Sequence, residues 1–291
     1  VLGLLDSASR HADYTPFLLA KLKGAADTNM RQSCLQALGK IGTKDAVKPI
    51  IESSVHFLPN ERRLAESSIC QIGPQTIPIL MELLKDPSMH DRSRILAGRI
   101  LGRLSPQEFQ ANLYDIVSKE IERAYFYFYH QHYIQAQYPH VDLKLLQDDL
   151  ESSFYSVIDF IIQLLGVAGE SEDCEVLSNA NRSPNPKVRS HVLETLEKTC
   201  EPRIYRALYP LIADLPHEEK MRAYLKEGHT PLSLTQLLDR MSQSSIQGDQ
   251  IVAIALKYRL DMPNWRDSLR QQLASNKEMF HHFAYELLEN E

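Results

Sequence analysis

The residues in this chain that could bind a metal or act as nucleophiles are its histidines and its four cysteines. His130 and His132 form an HxH in one helical stretch. Two positions apart on a helix, their side chains diverge by about 200°, so they cannot share an ion unaided. His281 and His282 are adjacent and no better placed, and no HExxH occurs. Cys34, Cys70, Cys174 and Cys200 make no CxxC pair, which argues against zinc or a thioredoxin-like centre. Cys34, Cys70 and Cys200 each sit in an apolar helical pattern, the usual setting of a buried thiol. No Ser/His/Asp arrangement or paired-carboxylate spacing stands out. These residues predict no catalytic, cofactor or metal site.

Two binding chemistries remain. Arg31, Arg62, Arg94 and Arg189 recur in register and offer an anion-binding ladder. Alternatively each pairs within its own or the next repeat, as Asp27 beside Arg31 and Asp91 beside Arg94 suggest. The second chemistry is aromatic: Tyr125, Phe126, Tyr127, Phe128, Tyr129, Tyr133 and Tyr138 crowd one stretch. At about 100° per residue, Val117, Ile121, Ala124, Tyr125 and Phe128 share one apolar face, and Phe126, Tyr127 and Tyr133 each point more than about 100° away. Either another helix covers that second side, or Phe126, Tyr127 and Tyr133 are candidate protein-binding residues. Without interleaved Lys or Arg, the cluster is a poor base-stacking platform.

The elements that position these residues are repeats. RQSCLQALGKIG (31–42), RLAESSICQIG (63–73) and RSRILAGRILGRLS (92–105) superpose with Gly42, Gly73 and Ser105 closing, at steps of 31 and 32 residues. Three positions earlier stand Gly39, Cys70 and Gly102, all small, and Cys200 closes a fourth copy, VRSHVLETLEKTC. Each copy follows a short amphipathic helix bearing Pro16, Pro49, Pro78 or Pro210. A helix pair with an apolar face on both members buries it only by stacking on further pairs. Gly39 and Gly42 are therefore packing positions, and no strand-like run precedes them as a phosphate loop requires.

Ser105-Pro106-Gln107-Glu108 is a helix start, with Ser as cap, Pro at the first position and Glu completing a capping box. The helix it opens runs to about residue 137, and LKLLQDDLESSFYSVIDFIIQLLGVAG answers it as an enlarged partner. Short units then resume, with Thr230-Pro231 capping PLSLTQLLDRMSQS, Trp265 opening a helix as a packing residue, EMFHHFAYELLEN forming a last helix, and ESEDCE (170–175) a solvated acidic turn. The expected fold is all-α, an α-solenoid of antiparallel helix pairs. Residues 1–105 are short repeats, 106–170 the enlarged pair and 171–291 the C-terminal repeats, all in one continuous superhelix.

The Pro-bearing first helix, the Arg-led second helix and the A-L-G-K-I-G closure resemble the short bacterial HEAT-like repeat. SKEIERAYFYF, PNPKVRSHVLETLEKT and RIYRALYPLI further resemble the HEAT middle region of bacterial nucleotide-carrier-like fusion proteins. That second resemblance implies a cytoplasmic solenoid tethered to a membrane domain in cis, and this chain departs from it in having GDQIVAIALKY where those proteins carry a Trp-centred segment.

Apolar residues make up 43% of the 291 and charged residues 24%, a globular balance. The net charge of −6 gives no global pull toward nucleic acid or anionic lipid. Nothing suggests a disulfide framework, which favours a reducing, cytoplasmic setting. The most apolar window, VIDFIIQLLGVAG (157–169), is interrupted by Asp159 and Gln163 and is shorter than the roughly 20 residues a bilayer needs, so no membrane insertion by this segment is expected. Val at position 1 is the expectation for a piece of a longer polypeptide. The predicted function is a non-catalytic interaction scaffold without cofactor, serving a protein partner or flanking domains in cis, with no nucleic acid bound. The alternative, implied by other HEAT-like folds, is an enzyme of DNA-glycosylase or bilin-lyase type.

Overall fold

The computed structural model describes residues 14–24, 27–169, 174–226, 228–274, 282–283 and 287. Among these residues there are fifteen α-helices, three short 3-10 turns and no strand. They divide into two compact units, residues 1–117 with 160–200, and residues 118–159 with 201–291.

Unit 1 is built on helix pairs: α1 (Thr15–Gly24) with α2 (Thr28–Ile41), α3 (Val47–Ser53) with α4 (Pro59–Ile72), and α5 (Ile77–Lys85) with α6 (Asp91–Leu104). The closing positions read from the repeat are the C-caps of the second helices, Gly42 for α2, Gly73 for α4 and Ser105 for α6. Gly42 adopts φ 74°, a left-handed value that glycine takes without steric cost. Gly39 allows close approach: a Cβ there would lie 2.9 Å from Cα and Cβ of Ser68 on α4. Gly102, at the same register position, is looser, its nearest neighbour being 3.6 Å away on Val167. Three of the four prolines fall in first turns, where no intrahelical N–H is lost, and Pro210 is the exception inside its helix.

The arginine ladder is structural. Arg31 Nε donates to Glu61 Oε1 at 2.8 Å, tying α2 to the next repeat, while Glu61 Oε2 accepts from Leu58 N at the start of α4. The expected Asp27 partner instead caps α2 through Asn29 N. Arg94 is almost fully buried, donates to Leu84 O at 3.1 Å and to Asp91 at 3.3 Å, and lies 3.9 Å over the Phe160 ring. Arg189 donates to the carbonyls of Ser183 and Pro184.

The long pair forms as the sequence indicates, α7 over Pro106–Gln137 and α8 over Lys144–Ala168. The compact units do not follow the segment boundaries 105/106 and 170/171. Residues 106–117 of α7 and 160–168 of α8 belong to unit 1, and the rest of both helices to unit 2. Helices of 32 and 25 residues are long enough to give each unit a stretch of its own. By length and composition α8 could cross a bilayer, which the sequence window did not suggest, but 56% of its most apolar stretch is buried inside the protein. The remaining helices of unit 1 are α9 (Cys174–Asn181) and α10 (Pro186–Thr199), which Cys200 caps.

Unit 2 adds α11 (Pro202–Ile212), α12 (His217–Lys226), α13 (Leu234–Ser242), α14 (Gln247–Arg259) and α15 (Trp265–Leu273). The cap of α13 is Ser233 rather than Thr230-Pro231. Ser233 Oγ accepts from Gln236 N, and Gln236 Oε1 accepts from Ser233 N, so the reciprocal capping box decides the start. Trp265 opens α15 and is buried with Ile254 and Leu269, its ring 5.0 Å from that of Tyr258. Most of the ESEDCE turn, most of EMFHHFAYELLEN, His281 and the Cys174 side chain lie outside the described residues.

Candidate functional site

The aromatic stretch of α7 is the interior of unit 2. Every residue from Ala124 to His130 is buried, which on one helix means cover on all sides. Phe128 packs on Phe154 of α8 and edge-on to His217 of α12. Tyr129 stacks on Tyr224 of α12 with centroids 4.4 Å apart. Tyr125 donates its hydroxyl to Ala207 O on α11. Arg240 of α13 covers the Phe126 ring at 4.4 Å, and Tyr127 Oη donates to Asp249 Oδ2 on α14 at 2.9 Å. The expectation of a protein-binding surface at Phe126 and Tyr127 is thereby corrected. Five other helices enclose this part of α7, so neither ring is available to a partner. Tyr133 is half-buried and stacks on Tyr129, with centroids 5.5 Å apart.

A polar core accompanies the rings. Asp249 Oδ2 also accepts from Ser244 Oγ at 2.9 Å, whereas Asp249 Oδ1, Asp149 Oδ2 and Gln250 Oε1 are buried without a hydrogen-bond partner. Burial, and next the charge of Asp249, push the Asp149 carboxyl up to about 7. Burial also raises Asp249, against the hydrogen bonds from Ser244 and Tyr127 and the charge of Arg123. The two carboxyls thus hold a proton near neutrality instead of forming a pair of free bases. On α7, His130 Nδ1 donates to Phe126 O at 2.8 Å and Nε2 accepts from Leu232 N at 3.3 Å, which fixes the neutral Nδ1–H tautomer. Burial pulls His130 down to about 4.

The His132 and His217 rings lie 4.3 Å apart, edge to face. His132 Nδ1 is engaged with Phe128 O, and among the described residues no three His, Cys, Asp or Glu come together as ion ligands. Burial raises the Cys34, Cys70 and Cys200 thiols.

In unit 1 a groove of about 160 Å³ opens between α4 and α6. Pro59, Arg62, Arg63 and Glu66 on α4, and Arg92, Ile95, Leu96 and Arg99 on α6, each follow helical i, i+3, i+4, i+7 spacing, so each helix turns one face into it. Gln163 and Glu175 complete the lining. Glu66 is buried, with Arg99 Nε at 3.3 Å and Arg103 Nε at 2.8 Å from its carboxylate. Arg62 donates to Glu175 Oε1 at 2.8 Å. Of these only Arg62 was singled out by the repeat register. Arg63 and Arg92 are reached by noticing that arginines one and two positions away from register share the open helix face.

Stacked helix pairs with this register define a helical-repeat protein. A family model, the PBS lyase HEAT-like repeat, matches residues 30–56, from α2 through α3. The chain therefore carries a HEAT-like repeat. No curated protein and no solved structure matches it.

Proposed function

We propose that this chain is a non-catalytic, cytoplasmic interaction scaffold whose binding face is the open side of the α4–α6 pairing. The observation that carries this is the groove itself, where four guanidiniums face two carboxylates on a chain of net charge −6. Arg62 and Arg99 are taken by Glu175 and Glu66, and the excess left at Arg63 and Arg92 suits an external ligand of opposite sign. The aromatic cluster, enclosed in unit 2, serves as the core against which α11 to α14 pack. The partner is a separate protein or a flanking domain in cis, and the resemblance to nucleotide-carrier-like fusions favours a membrane domain for the latter. The lyase reading draws on the family description alone, and a match of two short helices is too short to carry an activity.

Affinity capture from native extract with the full chain as bait tests this. Retention of a protein that elutes with rising salt is expected. A bait that retains nothing beyond bare resin, at any ionic strength, removes the scaffold reading.

A further inference from the structure

We propose that the groove between α4 and α6 is a docking site for an acidic protein segment, gripped through its Asp and Glu carboxylates. This rests on the scaffold reading and names the ligand chemistry of that same site.

The arginines of the groove, with Arg103 just outside its lining, fall into two sets. Arg99 and Arg103 both lean on buried Glu66, and Arg62 on Glu175, so these three are held in place by carboxylates of the chain. Arg63 and Arg92 are exposed, and among the described residues neither guanidinium has an ion-pair or hydrogen-bond partner, the Arg92 backbone N–H alone donating to His90 Nδ1. A planar guanidinium meets a carboxylate through two parallel N–H donors, so two open arginines on facing helices select a ligand with spaced carboxylates. The seat is already demonstrated within the chain: Glu175, its side chain 63% exposed, rests on Arg62 at 2.8 Å. Ile95 and Leu96 line the groove between the charged rows and offer apolar cover to the methylenes of a bound glutamate. A groove of about 160 Å³ holds single side chains from a peptide rather than the broad face of a duplex.

The test is a fluorescence-anisotropy titration of the full chain with a labelled peptide of alternating Glu and Ala, beside its Gln/Ala counterpart. Wild type and the charge-matched control Lys44→Glu/Lys48→Glu are expected to bind the Glu peptide and not the Gln peptide, more weakly as salt rises. Arg63→Glu/Arg92→Glu is expected to bind at least about tenfold more weakly, with an unchanged thermal melt. Equal binding by that variant, equal binding of the Gln peptide, or no binding of the Glu peptide by wild type overturns the assignment. So does displacement by inorganic phosphate at matched concentration, which would mean a site for free anions, or tighter binding of duplex DNA. The two readings fail separately: a protein captured equally by wild type and by Arg63→Glu/Arg92→Glu leaves the scaffold role standing and removes this groove as its docking site, whereas a bait that captures nothing removes the scaffold role itself.

Discussion

Asp149 and Asp249 stand a hundred positions apart in the chain, yet within unit 2 the charge of Asp249 adds to burial in lifting Asp149 to about 7. A carboxyl that titrates at 3.8 when unfolded and near 7 when folded keeps its proton longer in the native state. Its favourable contribution is complete below about 4 and is lost as pH rises through about 7.

Asp149→Asn is therefore expected to be more stable than wild type at pH 8, by an order-of-magnitude 1–4 kcal/mol, and to lose most of that advantage by pH 5. Urea unfolding at the two pH values checks it. Equal differences at both would show that Asp149 ionises normally.

His130 works in the opposite direction. Its pKa falls from 6.5 to about 4 on folding, so its contribution is present above 6.5 and is lost as pH falls through about 4. The two slopes oppose each other in wild type across this window. In Asp149→Asn the histidine slope is less masked, and stability should fall between about pH 6.5 and 4. Proton NMR of the His130 ring should give a midpoint near 4, and a midpoint at 6.5 would sink the assignment.

Gly39 and Gly102 occupy one register position with different room. Gly39→Ala is expected to cost about 1–3 kcal/mol, because its Cβ would meet the Ser68 backbone carbon at 2.9 Å. Gly102→Ala has ordinary contacts and should gain up to about 1 kcal/mol of helix propensity. Chemical denaturation of the pair reads this directly, and two equal effects would mean that the α2–α4 approach is not close.

Phe126→Ala and Tyr127→Ala should each destabilise unit 2 by about 3–5 kcal/mol, as large-to-small changes in a packed interior do. The double variant should melt well below wild type. A native-like melt would return both rings to the surface.

Helix existence, the repeat step and the ends of α2, α4, α6, α7 and α10 are legible in the sequence because caps, small residues and periodicity are local signals. The Arg94–Asp91 contact is legible for the same reason. What covers Phe126 and Tyr127 is not, since Arg240 and Asp249 lie more than a hundred positions further along. The Asp149–Asp249 pair escapes any spacing rule on the same ground. Ser233 was readable as a cap through its S-x-x-Q pattern, but the nearby Thr-Pro drew the helix start three residues too early. The α4–α6 groove needed the knowledge that two helices turn their arginine faces toward each other.

Trp265 is the single tryptophan of the chain, and it is buried in unit 2 beside Tyr258. Its emission is thus a built-in optical reporter for one unit, whereas circular dichroism sums both. Followed together during unfolding, the two signals separate a chain that melts in one step from one whose halves come apart in sequence.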